Sequence, residues 1–267
     1  MLSYQHGFHA GNLADVHKHA LLAGMLAAMA GKDKSLSYLE THAGRGLYDL
    51  RSPEAARTGE AAQGVERALA WFPANDPYRR AVEATRGRHG PRAYPGSPLV
   101  AATLLRPGDT IRLAELHPQE HAALEQALGP RAAVERRDGL AAALAWTPPT
   151  PRRGLMLLDP SWEVKEDYGA IPPLLRRVHA KWSVGVLALW YPLLADARHA
   201  PMLLRLQDAF PGALRHEVRF PAARPGHGLE GSGMLVVNAP WRTGERAAWL
   251  SGLFAQSLAS SPRTDRR

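Results

Sequence analysis

The spacing of apolar residues near the amino terminus predicts one helix followed by one buried strand. The helical pattern starts after Asn12, which can form a capping box with Asp15, and runs to about Ala30. Gly31 then provides a helix stop. A first strand is expected at 35–39, and polar residues follow it.

From residue 97 onward, helix and strand patterns alternate along the chain. Ser97 is expected as the N-cap of the first of these helices, with Pro98 in its first turn. The expected helices cover 97–106, 119–128, 139–145, 171–180 and 201–210. The expected strands cover 110–116, 133–136, 155–158, 184–190, 215–220 and 234–238. Such alternation favours a parallel sheet with helices on both faces, with the last two strands as a hairpin-like pair.

Residues 48–95 interrupt this alternation. Helical patterns at 64–72 and 76–86 predict a small helical subdomain inserted into one α/β domain, which would consist of 1–47 and 96–267. The insertion is rich in arginine, so it is a candidate for contact with phosphates. A solvated helical face is the structural alternative.

Composition limits the class of protein. The chain has 267 residues, 45% of them hydrophobic and 22% charged, which is typical of a globular protein with a full core. It contains no cysteine, which excludes disulfides and thiolate metal sites. The chain shows neither an apolar run long enough to cross a bilayer nor the apolar core of a signal peptide. We therefore expect a cytoplasmic protein with no membrane partner. The net charge of +8 favours a polyanionic partner, although base composition of the genome is another explanation for the arginines.

Four successive strands of the expected sheet end in residues suited to ligand binding. The first runs into the Gly-containing segment 42–46, the second ends at Glu115, the third at Asp138 and the fourth at Asp159. Ligands of doubly wound sheets bind at the carboxyl ends of the strands. A carboxylate at 115 suits ribose hydroxyls, and one at 138 suits an adenine amine. Each acid alone could instead be a helix cap, but their order matches S-adenosylmethionine-dependent methyltransferases.

The fourth strand end, Asp159-Pro160-Ser161-Trp162, predicts the chemistry. The Trp162 ring can stack on a flat base, while the Asp159 carboxylate and the Pro160 carbonyl accept hydrogen bonds from an exocyclic amine. This arrangement points to methylation of the adenine amino group. Taken alone, the motif also fits a common turn followed by a packed aromatic residue.

Histidines are concentrated in the first 42 residues, at positions 6, 9, 17, 19 and 42. His17 and His19 lie two residues apart, so they diverge on a helix. Since no cysteine or clear carboxylate completes a ligand set, we expect no metal site. His19 and His42 are candidates for hydrogen bonds to the carboxylate end of the cofactor.

Several motifs resemble those of the bacterial RlmJ family of 23S rRNA adenine-N6 methyltransferases. They are MLSYQHGFHAGN at 1–12, ADVHKH at 14–19, YLETHAG at 38–44, YPGSP at 94–98, ELHP at 115–118, DG at 138–139 and DP at 159–160. The resemblance covers nearly the whole chain, and its amino-terminal motif is the most specific part.

The resemblance implies a Rossmann-like methyltransferase fold with a small inserted helical subdomain. It also implies transfer of a methyl group from S-adenosyl-L-methionine to one adenine of 23S rRNA, at position 2030. By position, the implied cofactor-binding residues are His19, His42, Ser97, Glu115, Asp138, Gly139 and Asp159. The expected catalytic residues are Asp159, Pro160 and Trp162, and the expected substrate-binding residues are Tyr4, His6, Lys18 and Trp162. Ser161 and Trp162 depart from the proline and tyrosine frequent in the family.

Two other functions remain open from the sequence. An adenine-N6 DNA methyltransferase would carry the same catalytic motif, and an RNA-binding protein could keep the fold without the reaction. A nicotinamide oxidoreductase is disfavoured because the glycine segment lacks the G-x-G-x-x-G spacing. We expect a monomer that acts on 23S rRNA.

Overall fold

The computed structural model describes residues 6–222 and 228–260, with side chains up to residue 256. The strands are β1 Ser37–Glu40, β2 Leu47–Asp49, β3 Ala93–Pro95, β4 Thr110–Ala114, β5 Ala133–Glu135, β6 Gly154–Leu158, β7 Val186–Leu194, β8 Leu214–Arg219 and β9 Leu229–Val237. The helices are α1 Leu13–Ala30, α2 Pro53–Thr58, α3 Glu60–Gln63, α4 Val65–Ala68, α5 Pro77–His89, α6 Ser97–Leu104, α7 Pro118–Leu128, α8 Gly139–Ala145, α9 Asp167–Lys181, α10 Ala200–Ala209 and α11 Thr243–Ser260.

Seven strands form one sheet in the order β5-β4-β1-β6-β7-β9-β8. The first five are parallel, whereas β9 is antiparallel to both β7 and β8. The predicted parallel sheet and the terminal hairpin-like pair are therefore confirmed. The chain leaves β1 in one direction to β4 and returns to its other side at β6, so the strand order reverses between β1 and β6. Ligands bind at such a switch point.

Helices cover both faces of this sheet, which explains the continuous apolar run of β6. Leu155 and Leu157 join one buried cluster, with α1, α5, α6 and α11. Met156 and Leu158 join a second cluster on the opposite face, with α8, α9 and α10. A strand buried on both sides has no solvent-facing residues, so its sequence does not alternate.

The segment between β1 and α6 contains more than the two predicted helices. Its ends pair as a short antiparallel ladder, in which Tyr48 lies opposite Tyr94. The helices α2 and α3 also lie within it. Val65, Phe72 and Tyr78 pack into the same buried cluster as α1. The assignment of residues 48–95 to a separate inserted subdomain stays a prediction.

Three further features differ from the sequence-based expectations. Ser97 is the first residue of α6 rather than its N-cap, because Gly96 occupies the cap position. The 18-residue helix α11 was not predicted. Strands β7 and β9 are each nine residues long and extend beyond the runs expected from the sequence. Within the described residues, no helix is long and apolar enough to span a membrane.

Candidate active site

The carboxyl ends of the parallel strands border one cavity of about 430 Å³. This volume is in the range of sites that hold small ligands and cofactors. Every site residue expected from the sequence that the structure describes lines this cavity: His6, Lys18, His19, His42, Ser97, Glu115, Asp138, Gly139, Asp159, Pro160 and Trp162. Tyr4 lies outside the described residues. The expected convergence of the acids at 115, 138 and 159 is therefore observed.

A buried lysine bridges two carboxylates beside the cavity. Lys18 Nζ lies 2.7 Å from Asp159 Oδ2 and 3.0 Å from Asp15 Oδ1. Burial alone would lower the pKa of Lys18, but the two carboxylates outweigh that effect and raise the pKa above its ordinary value. Lys18 is therefore a fixed cation. It engages Oδ2 of Asp159, while Oδ1 accepts no hydrogen bond from the described residues.

Asp15 connects the segment before α1 to this ion pair. Its Oδ2 accepts a hydrogen bond from the Gly11 backbone and lies 2.9 Å from His6 Nε2. Asp15 also donates its backbone N–H to Asn12, which caps α1 as predicted. Burial raises the pKa of Asp15, but the charges of His6 and Lys18 outweigh it and hold the pKa well below its usual range. Asp15 is therefore a buried anion that orients Lys18.

Glu40 is a second buried acid, located at the end of β1. Its oxygens accept hydrogen bonds from Ser97 Oγ at 2.5 Å and from Tyr38 OH at 2.8 Å. Burial raises the pKa of Glu40 to about 8, although both hydrogen bonds act in the opposite direction. Glu40 is therefore mostly neutral at pH 7. A neutral Glu40 carries one proton to donate, so the direction of its contacts with Ser97 and Tyr38 follows its protonation state.

Of the two histidines expected at the cofactor, His19 is buried and His42 is half-buried, and both are neutral. His19 Nδ1 lies 2.9 Å from Tyr94 OH, and His42 Nδ1 lies 2.7 Å from Thr41 Oγ1. Burial lowers the pKa of His19 to about 3 and that of His42 to about 4. At pH 7 these rings can exchange hydrogen bonds with a ligand but carry no positive charge.

Glu115 and Asp138 already make backbone hydrogen bonds. Glu115 accepts from the Gly44 N–H at 2.8 Å and from the His117 N–H at 2.7 Å, one on each oxygen. Burial raises its pKa. Each oxygen keeps a further lone pair for a ligand hydroxyl. Asp138 accepts a hydrogen bond from the Ala141 N–H and thereby caps α8, which is the helix-cap role given above as the alternative to ligand binding. The cap engages only one of its two carboxylate oxygens.

Two indoles border the cavity. Trp162 is 4% exposed and packs against Tyr168, with ring centroids 4.6 Å apart. Its Nε1 is buried and has no hydrogen-bond partner among the described residues. A stacking role for this ring stays a prediction. Trp190, on β7, lies with its ring centroid 5.4 Å from Lys18 Nζ.

Asp15, Glu40 and Trp190 were not among the site residues expected from the sequence. Asp15 was interpreted only as part of a helix cap, although it lies in the motif that carries Lys18. Glu40 had a usable signal, because a carboxylate that ends a fully buried strand is unusual. Trp190 had none, since an aromatic residue in an apolar strand is ordinary core composition.

Within the described part of the chain, no group of three His, Asp or Glu side chains could hold a metal ion. The amino-terminal histidines take part in hydrogen bonds instead. His9 contacts Glu60, and His17 contacts Ser232 and His216.

Comparison with known proteins assigns the family. The family model described as "Ribosomal RNA large subunit methyltransferase D, RlmJ" matches residues 33–266. Ribosomal RNA large subunit methyltransferase J of Escherichia coli K12 is 39% identical over 250 residues, covering 91% of this chain and 89% of that protein. Its namesake in Haemophilus influenzae is 35% identical over 248 residues, covering 90% and 88%. The chain belongs to the RlmJ family.

A solved structure agrees with this RlmJ family assignment. The crystal structure of protein LPL1258 from Legionella pneumophila superposes with a TM-score of 0.85 at 31% identity, covering 94% of each chain. The Rossmann-like fold and the family resemblance expected from the sequence are confirmed.

The cavity of this RlmJ family member fits S-adenosyl-L-methionine. Glu115 offers acceptors at the end of β4, where ribose hydroxyls can be bound. Gly139 brings α8 against β1 so closely that a Cβ there would lie 2.1 Å from the Thr41 carbonyl oxygen. The Asp159 carboxylate lines the same space, where it can attract a positively charged sulfonium.

Proposed function

We propose that this protein transfers a methyl group from S-adenosyl-L-methionine to the N6 amine of an adenine in 23S rRNA. The observation that carries the proposal is the convergence of Asp159-Pro160 and Glu115 on one cavity in a chain of the RlmJ family. The proposed target, implied by the sequence resemblance, is adenine 2030.

The proposed cofactor contacts follow from the strand ends. Glu115 accepts hydrogen bonds from the ribose hydroxyls, and the free oxygen of Asp138 accepts from the adenine amine of the cofactor. The neutral His19 and His42 rings, together with Ser97, contact the amino acid end. The bound cofactor supplies an activated methyl group, so the protein has to align the attacking nitrogen with it.

Asp159 orients the target amine in this mechanism. Lys18 holds Oδ2 of Asp159, which leaves Oδ1 to accept a hydrogen bond from the amine. The Pro160 carbonyl accepts from the second N–H. These two acceptors direct the nitrogen lone pair towards the methyl group, and the carboxylate stabilises the positive charge that develops on nitrogen. The proton then leaves to water or to the carboxylate.

The target base has to be unpaired or rotated out of a helix to reach the cavity. Stacking on an aromatic ring such as Trp162 or Tyr4 would contribute about 1–3 kcal/mol to its binding. His6, which contacts Asp15 at the same cavity, completes the proposed base-binding residues.

Residues 48–95 are proposed as an inserted subdomain that contacts RNA phosphates. Five arginines of this segment are exposed and form no ion pair with a described residue: Arg51, Arg57, Arg67, Arg80 and Arg88. Guanidinium groups in this state are available to neutralise phosphates, which would make binding weaker at higher salt.

The test is methyl transfer from tritiated S-adenosyl-L-methionine to deproteinised 23S rRNA taken from cells that lack this gene. We expect label in the rRNA, and N6-methyladenosine as the labelled nucleoside after nuclease digestion. Mapping of the modified position tests adenine 2030. Label in another nucleoside, or none in rRNA, would refute the proposal.

The same assay separates the DNA alternative. Duplex DNA and rRNA are offered at equal nucleotide concentration, and we expect label only in rRNA. Preferential labelling of DNA would favour the DNA methyltransferase, and binding of rRNA without any transfer would favour the non-catalytic alternative.

A further inference from the structure

A buried chain of hydrogen bonds crosses the protein beside the active site. Trp190 Nε1 donates to Ser232 Oγ at 2.9 Å, and Ser232 Oγ lies 2.7 Å from His17 Nδ1. His17 Nε2 lies 2.9 Å from His216 Nδ1, whose Nε2 lies 2.8 Å from Ser251 Oγ. The chain links β7, β9, α1, β8 and α11. His17 and Ser232 are fully buried, and Ser251 is exposed.

The indole and the burial of Ser232 together favour one direction for the hydrogen bonds in this chain. Trp190 Nε1–H can only donate, so Ser232 is its acceptor. Ser232 is fully buried, and donation to His17 Nδ1 is the arrangement that gives its hydroxyl proton a partner. A neutral His17 then carries its proton on Nε2 and donates to His216 Nδ1. A neutral His216 likewise donates from Nε2 to Ser251. Burial lowers the pKa of both histidines, which agrees with neutral rings.

This polarised chain ends at the group that contacts the catalytic ion pair. Trp190 lines the active-site cavity, and its ring centroid lies 5.4 Å from Lys18 Nζ. Lys18 follows His17 on α1, so an inner member of the chain lies on the helix that carries Lys18. Hydrogen bonds in a buried series polarise one another. The chain therefore fixes the position of α1 relative to β7 at the active site.

We propose that Ser232, His17 and His216 are positioning residues for methyl transfer, which hold the Trp190 indole against Lys18 and thereby the Lys18–Asp159 pair. The inference rests on the function proposed above. It assigns these residues no contact with substrate or cofactor. Their effect passes through Trp190.

The test is a double-mutant cycle of Ser232→Ala and Trp190→Phe, measured as single-turnover methyl transfer to 23S rRNA. Phenylalanine keeps a ring but lacks the indole N–H, so it disconnects the ring from the chain. We expect Ser232→Ala to reduce the rate on the order of tenfold, with cofactor affinity by calorimetry unchanged within twofold. In the Trp190→Phe background, Ser232→Ala should have no further effect.

Ser37→Ala is the matched control. Ser37 is also a fully buried strand serine with a hydrogen-bonded hydroxyl, which donates to the Pro151 carbonyl at the opposite end of β1. We expect this variant to lose stability but to keep the wild-type rate. An unchanged rate in Ser232→Ala, or the same loss in both backgrounds, would overturn the proposal. An inactive wild type would instead refute the function.

Nitrogen NMR of the histidine rings gives a readout that does not depend on activity. We expect His17 and His216 to be neutral at pH 6.5, with the proton on Nε2 in both. In Ser232→Ala, the His17 Nδ1 signal should shift because its donor is removed. A proton on Nδ1 of either ring in the wild type would contradict the proposed direction.

Discussion

Replacement of Lys18 by methionine tests the central ion pair, because it removes a cation and keeps the length of the side chain. Lys18 is 4% exposed and contacts two carboxylates, at 2.7 and 3.0 Å. Removal of one partner of a buried pair costs roughly 3–5 kcal/mol, since the remaining charge has no counterion. Asp15 keeps His6 and the Gly11 N–H, so the lower part of this range is expected, about 3 kcal/mol.

For a chain of this size, such a loss lowers the melting temperature by roughly 6–12 °C. Thermal and urea denaturation at pH 8 measure it, and Lys32→Met, an exposed lysine just after α1, is the control expected to change stability by less than about 0.5 kcal/mol.

The pH dependence gives a second readout. Lys18 helps to hold the pKa of Asp15 down against the effect of burial, so removal of Lys18 raises that pKa and makes the variant lose stability as pH rises. The deficit of the variant should therefore be smaller at pH 5 than at pH 8. A Lys18→Met protein within about 1 kcal/mol of wild type at pH 8 would refute the assignment of a buried, charged pair.

Three other substitutions have defined outcomes. For Glu40, the folded pKa of about 8 lies above the ordinary 4.5, so wild-type stability falls as pH rises between these values. Glu40→Gln cannot ionise, so its free energy of unfolding should fall less with pH, by up to about 1.4 kcal/mol per pH unit. Urea denaturation that gives the same pH dependence of stability for both proteins would contradict this. Gly139→Ala places a Cβ 2.1 Å from the Thr41 carbonyl oxygen, so cofactor affinity should fall about tenfold by calorimetry. Gly169→Ala, with open space around it, is the control, and equal affinity in both variants would refute the argument. Glu115→Ala removes the proposed ribose acceptor and should weaken cofactor binding roughly tenfold or more, whereas unchanged affinity would exclude that role.

Much of the fold could be predicted from the sequence because its signals are local. The cap at Asn12 and the apolar run before Asp159 each specify an element without tertiary information. The carboxyl ends of parallel strands meet at one edge, so the order of the acids also predicted a shared cavity. Helix α11 was missed although its buried residues Ala247, Leu250 and Phe254 have helical spacing in the sequence.

Ser97 illustrates why side-chain roles are harder to predict than elements. Its sequence context, before Pro98, is typical of an N-cap, but its hydroxyl is hydrogen-bonded to Glu40, which is distant in sequence, and Gly96 takes the cap position. The pairing of Lys18 with Asp159 likewise joins residues 141 positions apart, and no local pattern encodes it.

The most direct test of the central claim is single-turnover methyl transfer to 23S rRNA by Asp159→Asn, with cofactor affinity measured in parallel. Asparagine keeps the size of the side chain, and Lys18 retains Asp15 as its partner. We predict that the rate falls by at least about a thousandfold, while cofactor affinity changes by less than about tenfold. A variant that transfers methyl groups at more than a tenth of the wild-type rate would contradict the role of the Asp159 carboxylate in the reaction.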